Sequence, residues 1–142
     1  MAYFLVKTEP ADYGLDDLER ERRTVWDGVR NPQAVRCIAQ MRPGDRLLIY
    51  HSGSQAALVG LARVVSWPRP DPAEPRSQVI DIEFVRRLAR PLTLREIKES
   101  GLFSDWSLLR QPRLSVMAVP EHFLRWLREQ GLLDPTEEEE QG

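Results

Sequence analysis

One cysteine, Cys37, and two histidines, His51 and His122, are all the thiol and imidazole that this 142-residue chain contains. A lone thiol cannot close an intramolecular disulfide, and three such residues fall short of the four ligands of a structural zinc site. Long apolar runs are also missing. Nothing approaches the roughly 18 consecutive apolar residues of a membrane span, and Lys7 and Glu9 interrupt the opening MAYFLVKTEP too early for a signal peptide. The expectation is a soluble cytoplasmic protein with no membrane partner. G-x-S-x-G, the P-loop, the dinucleotide fingerprint and H-E-x-x-H are likewise absent, which removes the commonest hydrolase, nucleotide-hydrolysing and zinc-protease chemistries.

Lysine is scarce too: of 20 basic residues only Lys7 and Lys98 are lysines. Arginine suits phosphate contacts and base stacking better. The net charge of -2 hides an asymmetry, because five of the 22 acids lie in the tail DPTEEEEQG, leaving 17 acids against 20 basic residues in the body. The tail, 134–142, reads as a solvated, disordered terminus and 1–133 as one domain. A hydrophobic fraction of 42% is enough to close one core, and a surplus of three positive charges permits nucleic-acid binding without requiring it.

Apolar periodicity and turn residues place the elements. AYFLVK (2–7) reads as a buried strand that Pro10 follows, and Leu15 with Leu18 as a short helix. Asn31-Pro32 is an N-cap with proline at the first helical position, leading a helix to about Met41 with Ala34, Val35, Ile38 and Met41 inward. RLLIYH (46–51) and 57–67 are strands, and Gly60 marks a sharp bend or a close approach. The four prolines of WPRPDPAEPRS (67–77) predict a long hairpin loop. In 79–88, Ile80, Ile82 and Phe84 alternate with Asp81 and Glu83, the pattern of a half-wet strand. Thr93-Leu94-Arg95-Glu96 has capping-box spacing, Gly101 stops that helix, 113–119 is a last strand, and Pro120 opens a final helix that Gly131 ends. The order predicts an α+β fold on a small curled antiparallel β-barrel with short helices packed around it.

Four segments carry more polar and aromatic character than a core needs: Lys7-Thr8-Glu9-Pro10, the stretch 24–34 with Trp26 and Asn31, Ile49 to Gly53, and 112–119. Each lies at a strand end or enters a helix, positions that hold functional groups on a rigid frame. The same residues have plainer readings. Trp26 and Tyr50 can be core, Asn31 a helix cap, Arg113 a surface charge, Cys37 the edge of the core and His122 a surface residue. Trp106 can close the barrel or line a pocket, whereas Trp67 and Trp126 fit packing. Ser52 follows His51 directly, so on a strand the two point to opposite faces and make a poor nucleophile–base pair.

The segments Tyr3 to Pro10, Trp26-Asp27-Gly28-Val29-Arg30-Asn31-Pro32-Gln33-Ala34, Tyr50-His51-Ser52, Val59 to Ala62 and Arg113-Leu114-Ser115-Val116 closely resemble the EVE domain family, in order along nearly the whole chain. That family is similar in fold to PUA and YTH domains. The resemblance implies a pocket reader of nucleic acid, RNA or DNA, that carries modified bases. The leading reading is a non-catalytic module that needs no metal or cofactor, and a monomer is expected. The residues sort into roles under that reading. Trp26 stacks on the base, with Tyr50 or Trp106 closing the other side. Asn31, His51, Ser52 and the backbone around Val29 read its edge, with Thr8, Glu9 and Ser115 as further polar groups. Val29 or Met117 senses a methyl group, and Lys7, Arg30 and Arg113 hold flanking phosphates. Two alternatives stay open: an enzyme acting on a nucleotide or small acid with Glu9 or His51 as acid–base, and a module binding a peptide or small ligand.

Overall fold

A computed structural model describes residues 1–134. Apart from Asp134, the expected acidic tail lies outside the described residues.

Two unbroken apolar runs lie at the centre of the sheet. Strand β1 (Tyr3–Thr8) pairs in parallel with β3 (Arg46–His51), Leu5 opposite Leu48 and Lys7 opposite Tyr50. The chain makes the parallel return through helix α1 (Leu15–Glu21), strand β2 (Arg23–Trp26) and helix α2 (Pro32–Ala39). A parallel pair needs a crossover of this kind, and strands covered on both faces can be apolar at every position. Leu5, Val6, Leu47 and Leu48 are all fully buried.

The remaining pairings are antiparallel. β4 (Ala57–Val64) lies beside β3, and the 20-residue β6 (Glu74–Thr93) pairs with β4, with β2 and with the short β5 (Arg69–Asp71). On the other flank β7 (Val116–Ala118) pairs with β1. The order is β2-β6-β4-β3-β1-β7 with β5 hung on β6, and the sheet does not close on itself. The expected barrel is therefore an open curled sheet, and it is not wholly antiparallel.

Local chemistry explains the bends. Opposite Val59 alone, β6 fits residues 88–91, since Leu58 faces Leu92 and Gly60 faces Arg87. Pro91 falls in that unpaired excess, where a missing N–H costs no ladder bond. A Cβ on Gly60 would sit 2.6 Å from Leu15 Cδ1 and 3.3 Å from the Arg86 carbonyl oxygen, so the glycine at this bulge admits both a side chain of α1 and the neighbouring backbone. The proline-rich 67–77 stretch is more ordered than the expected loop: Pro70 is tolerated because β5 is an edge strand. β2 went unpredicted because four residues show too little alternation.

The predicted caps form. Asn31 Oδ1 accepts the Gln33 and Ala34 amides at 2.8 and 3.1 Å, and Thr93 and Glu96 exchange side-chain-to-amide bonds ahead of α3 (Leu94–Ser100). Gly101 follows α3 at φ 71°, in the left-handed region that glycine enters freely. Beyond it come α4 (Ser107–Arg110), which the sequence did not reveal, and α5 (Glu121–Glu129). Phe103, Trp106, Phe123 and Trp126 pack together there, Trp106 and Phe123 with centroids 4.6 Å apart. Trp67, expected in the packing, is instead 65% exposed in the connection between β4 and β5.

Candidate functional site

Pairing of Trp26 with Ile80 fixes the indole at the end of β2, where it joins the core and is 8% exposed. It also borders a cleft of about 290 Å³ lined by Thr8, Tyr13, Thr24, Val25, Trp26 and Asp27. Tyr13 meets the indole edge-on, centroids 6.2 Å apart at 82°. Tyr13 is held through its backbone, whose amide donates to the Glu9 carbonyl at 2.9 Å and whose oxygen accepts the Thr8 hydroxyl at 2.6 Å, and through its phenol, which donates to the Glu21 carboxylate. Burial first, then Glu21, pushes that phenol up to about 12, so it stays a neutral donor at physiological pH. The cleft thus combines aromatic walls with hydroxyls and one exposed carboxylate, and it can hold a planar ring while bonding to its edge.

His51 builds the frame behind this cleft. Its Nε2 accepts the Leu15 amide at 3.0 Å, satisfying an otherwise orphaned donor at the start of α1. Acceptance there assigns the proton to Nδ1, which faces Gln55 Oε1 at 3.2 Å. Both ring nitrogens are spent, so His51 is not placed to read a base or to take a substrate proton.

Lys7 and Thr8 are adjacent on β1 and face opposite sides of the sheet. Thr8 lines the Trp26 cleft; Lys7 lines a second cleft of about 200 Å³ with Tyr50, Ser52, Gly53, Leu94, Lys98 and neighbours on α4. There Lys7 Nζ donates to the Pro112 carbonyl at 3.0 Å and lies 5.5 Å from the Tyr50 ring centroid. Burial lowers the Lys7 pKa and raises that of Tyr50. A third cleft of about 220 Å³ adjoins the first through their common residue Asp27, and holds Val29 and Arg30 with Asp71, Glu74 and Ser77.

The expected residues therefore do not converge on one hollow. Trp26 and Thr8 meet, Lys7, Tyr50 and Ser52 meet elsewhere, and Val29 with Arg30 occupy the third cleft. The Val29 carbonyl, expected to read a base, already accepts the buried Ser77 hydroxyl. Trp106 lines none of these clefts: its Nε1 donates to the Ala118 carbonyl at 3.0 Å and its ring packs on Phe123. Met117 is buried opposite Leu5 on β7, so it cannot wall the Trp26 cleft. Ser115 gives its carbonyl to the Lys7 amide, and the Asn31 side-chain oxygen is consumed as a cap. Arg113 is exposed, while Glu9 Oε1 accepts the Ala11 amide at 3.2 Å. Sequence reasoning missed Tyr13 and Lys98, and left Thr24 and Asp27 without a role inside the 24–34 stretch; Tyr13, directly before the Gly14 that starts α1, was the one with a usable signal. Among the described residues no group of three or more His, Cys, Asp or Glu side chains could hold a metal ion.

Comparison with known proteins agrees with this architecture. Residues 2–130 match the EVE domain. Thymocyte nuclear protein 1 of Rattus norvegicus is 28% identical over 84% of this chain and 69% of its own length. A Rhodopseudomonas palustris protein solved by NMR is 32% identical, covers 94% of this chain and 96% of its own, and superposes with a TM-score of 0.87. The human THYN1 protein, crystallised in complex with 5-methylcytosine-containing DNA, has the same fold at 22% identity, with a TM-score of 0.84 over 95% of this chain and 100% of its own.

Proposed function

This chain belongs to the EVE domain family, and from that premise we propose that it is a non-catalytic nucleic-acid-binding module that takes a modified base into the Trp26 cleft. The observation that carries the reading is the indole itself, built into the core on one side and walling an open, hydroxyl-lined cleft on the other. Lifting a base from its stack costs a few kcal/mol, and stacking on an aromatic face returns about 1–3 kcal/mol, so bonds to the base edge make up the difference. Thr8, Thr24, the Tyr13 ring and Asp27 surround the cleft where that edge would lie. Asp27 suits an amino donor such as the one on cytosine. The DNA bound by the human neighbour supports the same class of ligand.

Lys7 and Arg30, which line the second and third clefts, and the exposed Arg113 hold phosphates, positioning the strand without specifying its sequence. The protein works as a monomer. The acid–base alternative finds little support, since both nitrogens of His51 are engaged and Glu9 is exposed on the Ala11 amide. The rat relative is named a nuclear protein, which does not favour the cytoplasm expected from the sequence. Among the described residues, no helix is long and apolar enough to cross a membrane.

The test is a titration of labelled RNA and DNA oligonucleotides with and without 5-methylcytosine against the wild type and Trp26→Phe. Tighter binding of a modified strand, weakened in the variant, is expected. Equal affinity for every strand in both proteins would overturn the base-reading role.

A further inference from the structure

Several arginines of this molecule are matched by carboxylates. Arg23 and Arg63 pair with Glu83, Arg69 with Asp81, Arg87 with Asp16 and Glu19, and Arg90 with Glu96. The two lysines, far apart in sequence, line one cleft, and neither makes an ion pair with a described residue. No carboxylate lines that cleft. Its walls are Leu94, Leu108 and Leu109 from α3 and α4, and its hydroxyls are Tyr50 and Ser52. Lys7 is half-buried with only a carbonyl and an aromatic face as partners. Those are partial charges set against a full one, and burying a cation without a counter-ion is costly. The nearby acid, Glu9, lies over Gly53 with one oxygen already on the Ala11 amide.

We propose that this cleft is a phosphate-binding site, in which the Lys7 and Lys98 ammonium groups supply charge and the Tyr50 and Ser52 hydroxyls supply hydrogen bonds. The inference rests on the reading above in which Lys7 meets a phosphate, and deepens it by adding Lys98, Tyr50 and Ser52 as the rest of that site. The phosphate can be that of a free monoester or one carried by a nucleic-acid strand.

Two-dimensional amide spectra of the full chain test it, with inorganic phosphate, adenosine monophosphate and one short oligonucleotide with and without a 5′-phosphate as probes, at matched ionic strength. Saturable shifts of the Ser52, Gly53 and Lys98 amides are expected, with affinity about tenfold weaker in Lys98→Met, the loss of one charge-assisted contact. Lys98 is exposed, so this variant leaves the core alone. A response that requires the 5′-phosphate assigns the site to a terminal group, and an equal response to both oligonucleotides assigns it to the backbone. Amides that fail to saturate with every probe, or a Lys98→Met protein that binds as tightly as the wild type, would overturn the proposal. Loss of oligonucleotide discrimination by Trp26 variants bears on the other cleft alone, so failure of one reading is separable from failure of the other.

Discussion

Two clefts lie back to back across the end of β1, one taking Thr8 and the other Lys7. The first is aromatic, with Asp27 at its rim; the second is cationic and free of carboxylates. Each depends on a different neighbour for its shape. The Trp26 cleft needs α1, which the His51–Leu15 bond ties to the sheet, whereas the lysine cleft needs the turn at Gly53 and the roof of α3 and α4. The comparison teaches that a strand end, through its alternating side chains, can serve opposite chemistries on its two faces without a loop of its own for either.

The largest effect that can break this contrast comes from Trp26→Ala, which removes both a wall and part of the core. We expect a stability loss of about 3–5 kcal/mol by urea denaturation, and at temperatures where the variant stays folded, affinity for a cleft-bound base reduced by about 1–3 kcal/mol. A stability loss with unchanged affinity would leave the indole a purely structural role. Next, His51→Ala strips the Leu15 amide of its acceptor, at a cost of about 1–3 kcal/mol for a buried unsatisfied donor. The loosening should show as faster amide exchange at the start of α1, the side that carries Tyr13, with Ser52 little changed.

A smaller effect addresses the other cleft. Gly53 has φ 87°, and a Cβ there would stand 2.5 Å from Glu9 Oε2, so Gly53→Ala should cost about 1–3 kcal/mol in backbone strain. Its chemical-shift changes should centre on Ser52 and Lys98 rather than on Trp26. Arg113→Ala should leave stability within about 0.5 kcal/mol and lower the salt slope of nucleic-acid binding by about one. An unchanged slope removes Arg113 from the phosphate contacts.

The smallest effect is acid sensitivity. The Gly14 amide and Arg20 hold the Asp17 carboxyl below its ordinary range, Arg63 and Arg23 do the same for Glu83, and the Thr93 amide, then its hydroxyl, for Glu96. Since the unfolded chain takes up these protons first, the stability they lend is present above the ordinary carboxylate range and is lost as pH falls through the folded values. The urea midpoint should therefore be lower at pH 3 than at pH 6. Asp17→Asn should flatten that difference at α1 and leave the lysine cleft untouched.

Much of the frame was legible because its signals are local. Asn31-Pro32, the Thr93–Glu96 box and Gly101 each announce a cap through one or two side chains bonded to nearby amides, and β3 begins and ends where the apolar run does. The run itself held more than was taken from it. AYFLVK and RLLIYH do not alternate, as strands covered on both faces need not, and they form the parallel pair; VIDIEF alternates and runs antiparallel. Closure of the sheet could not be read, because it depends on whether β2 and β7 find each other across space. The site was legible only in part for the same reason. Trp26 and Thr8 were found by residue type, but which polar groups keep free valences depends on partners remote in sequence: His51 is used up by Leu15, the Val29 carbonyl by Ser77, and the Trp106 indole by Ala118.

The base-stacking candidate sits on a short edge strand of the sheet. β2 is four residues long, forms one outer edge and is bonded to β6 alone. Such an edge can breathe without disturbing the centre, where β1 is held on both sides. A guest wedged between the indole and Tyr13 would clasp this margin to the body of the fold. Occupancy should then register as slowed hydrogen exchange at Thr24 to Trp26 far more than at Leu48, making an edge strand the one that reports whether the cleft is filled.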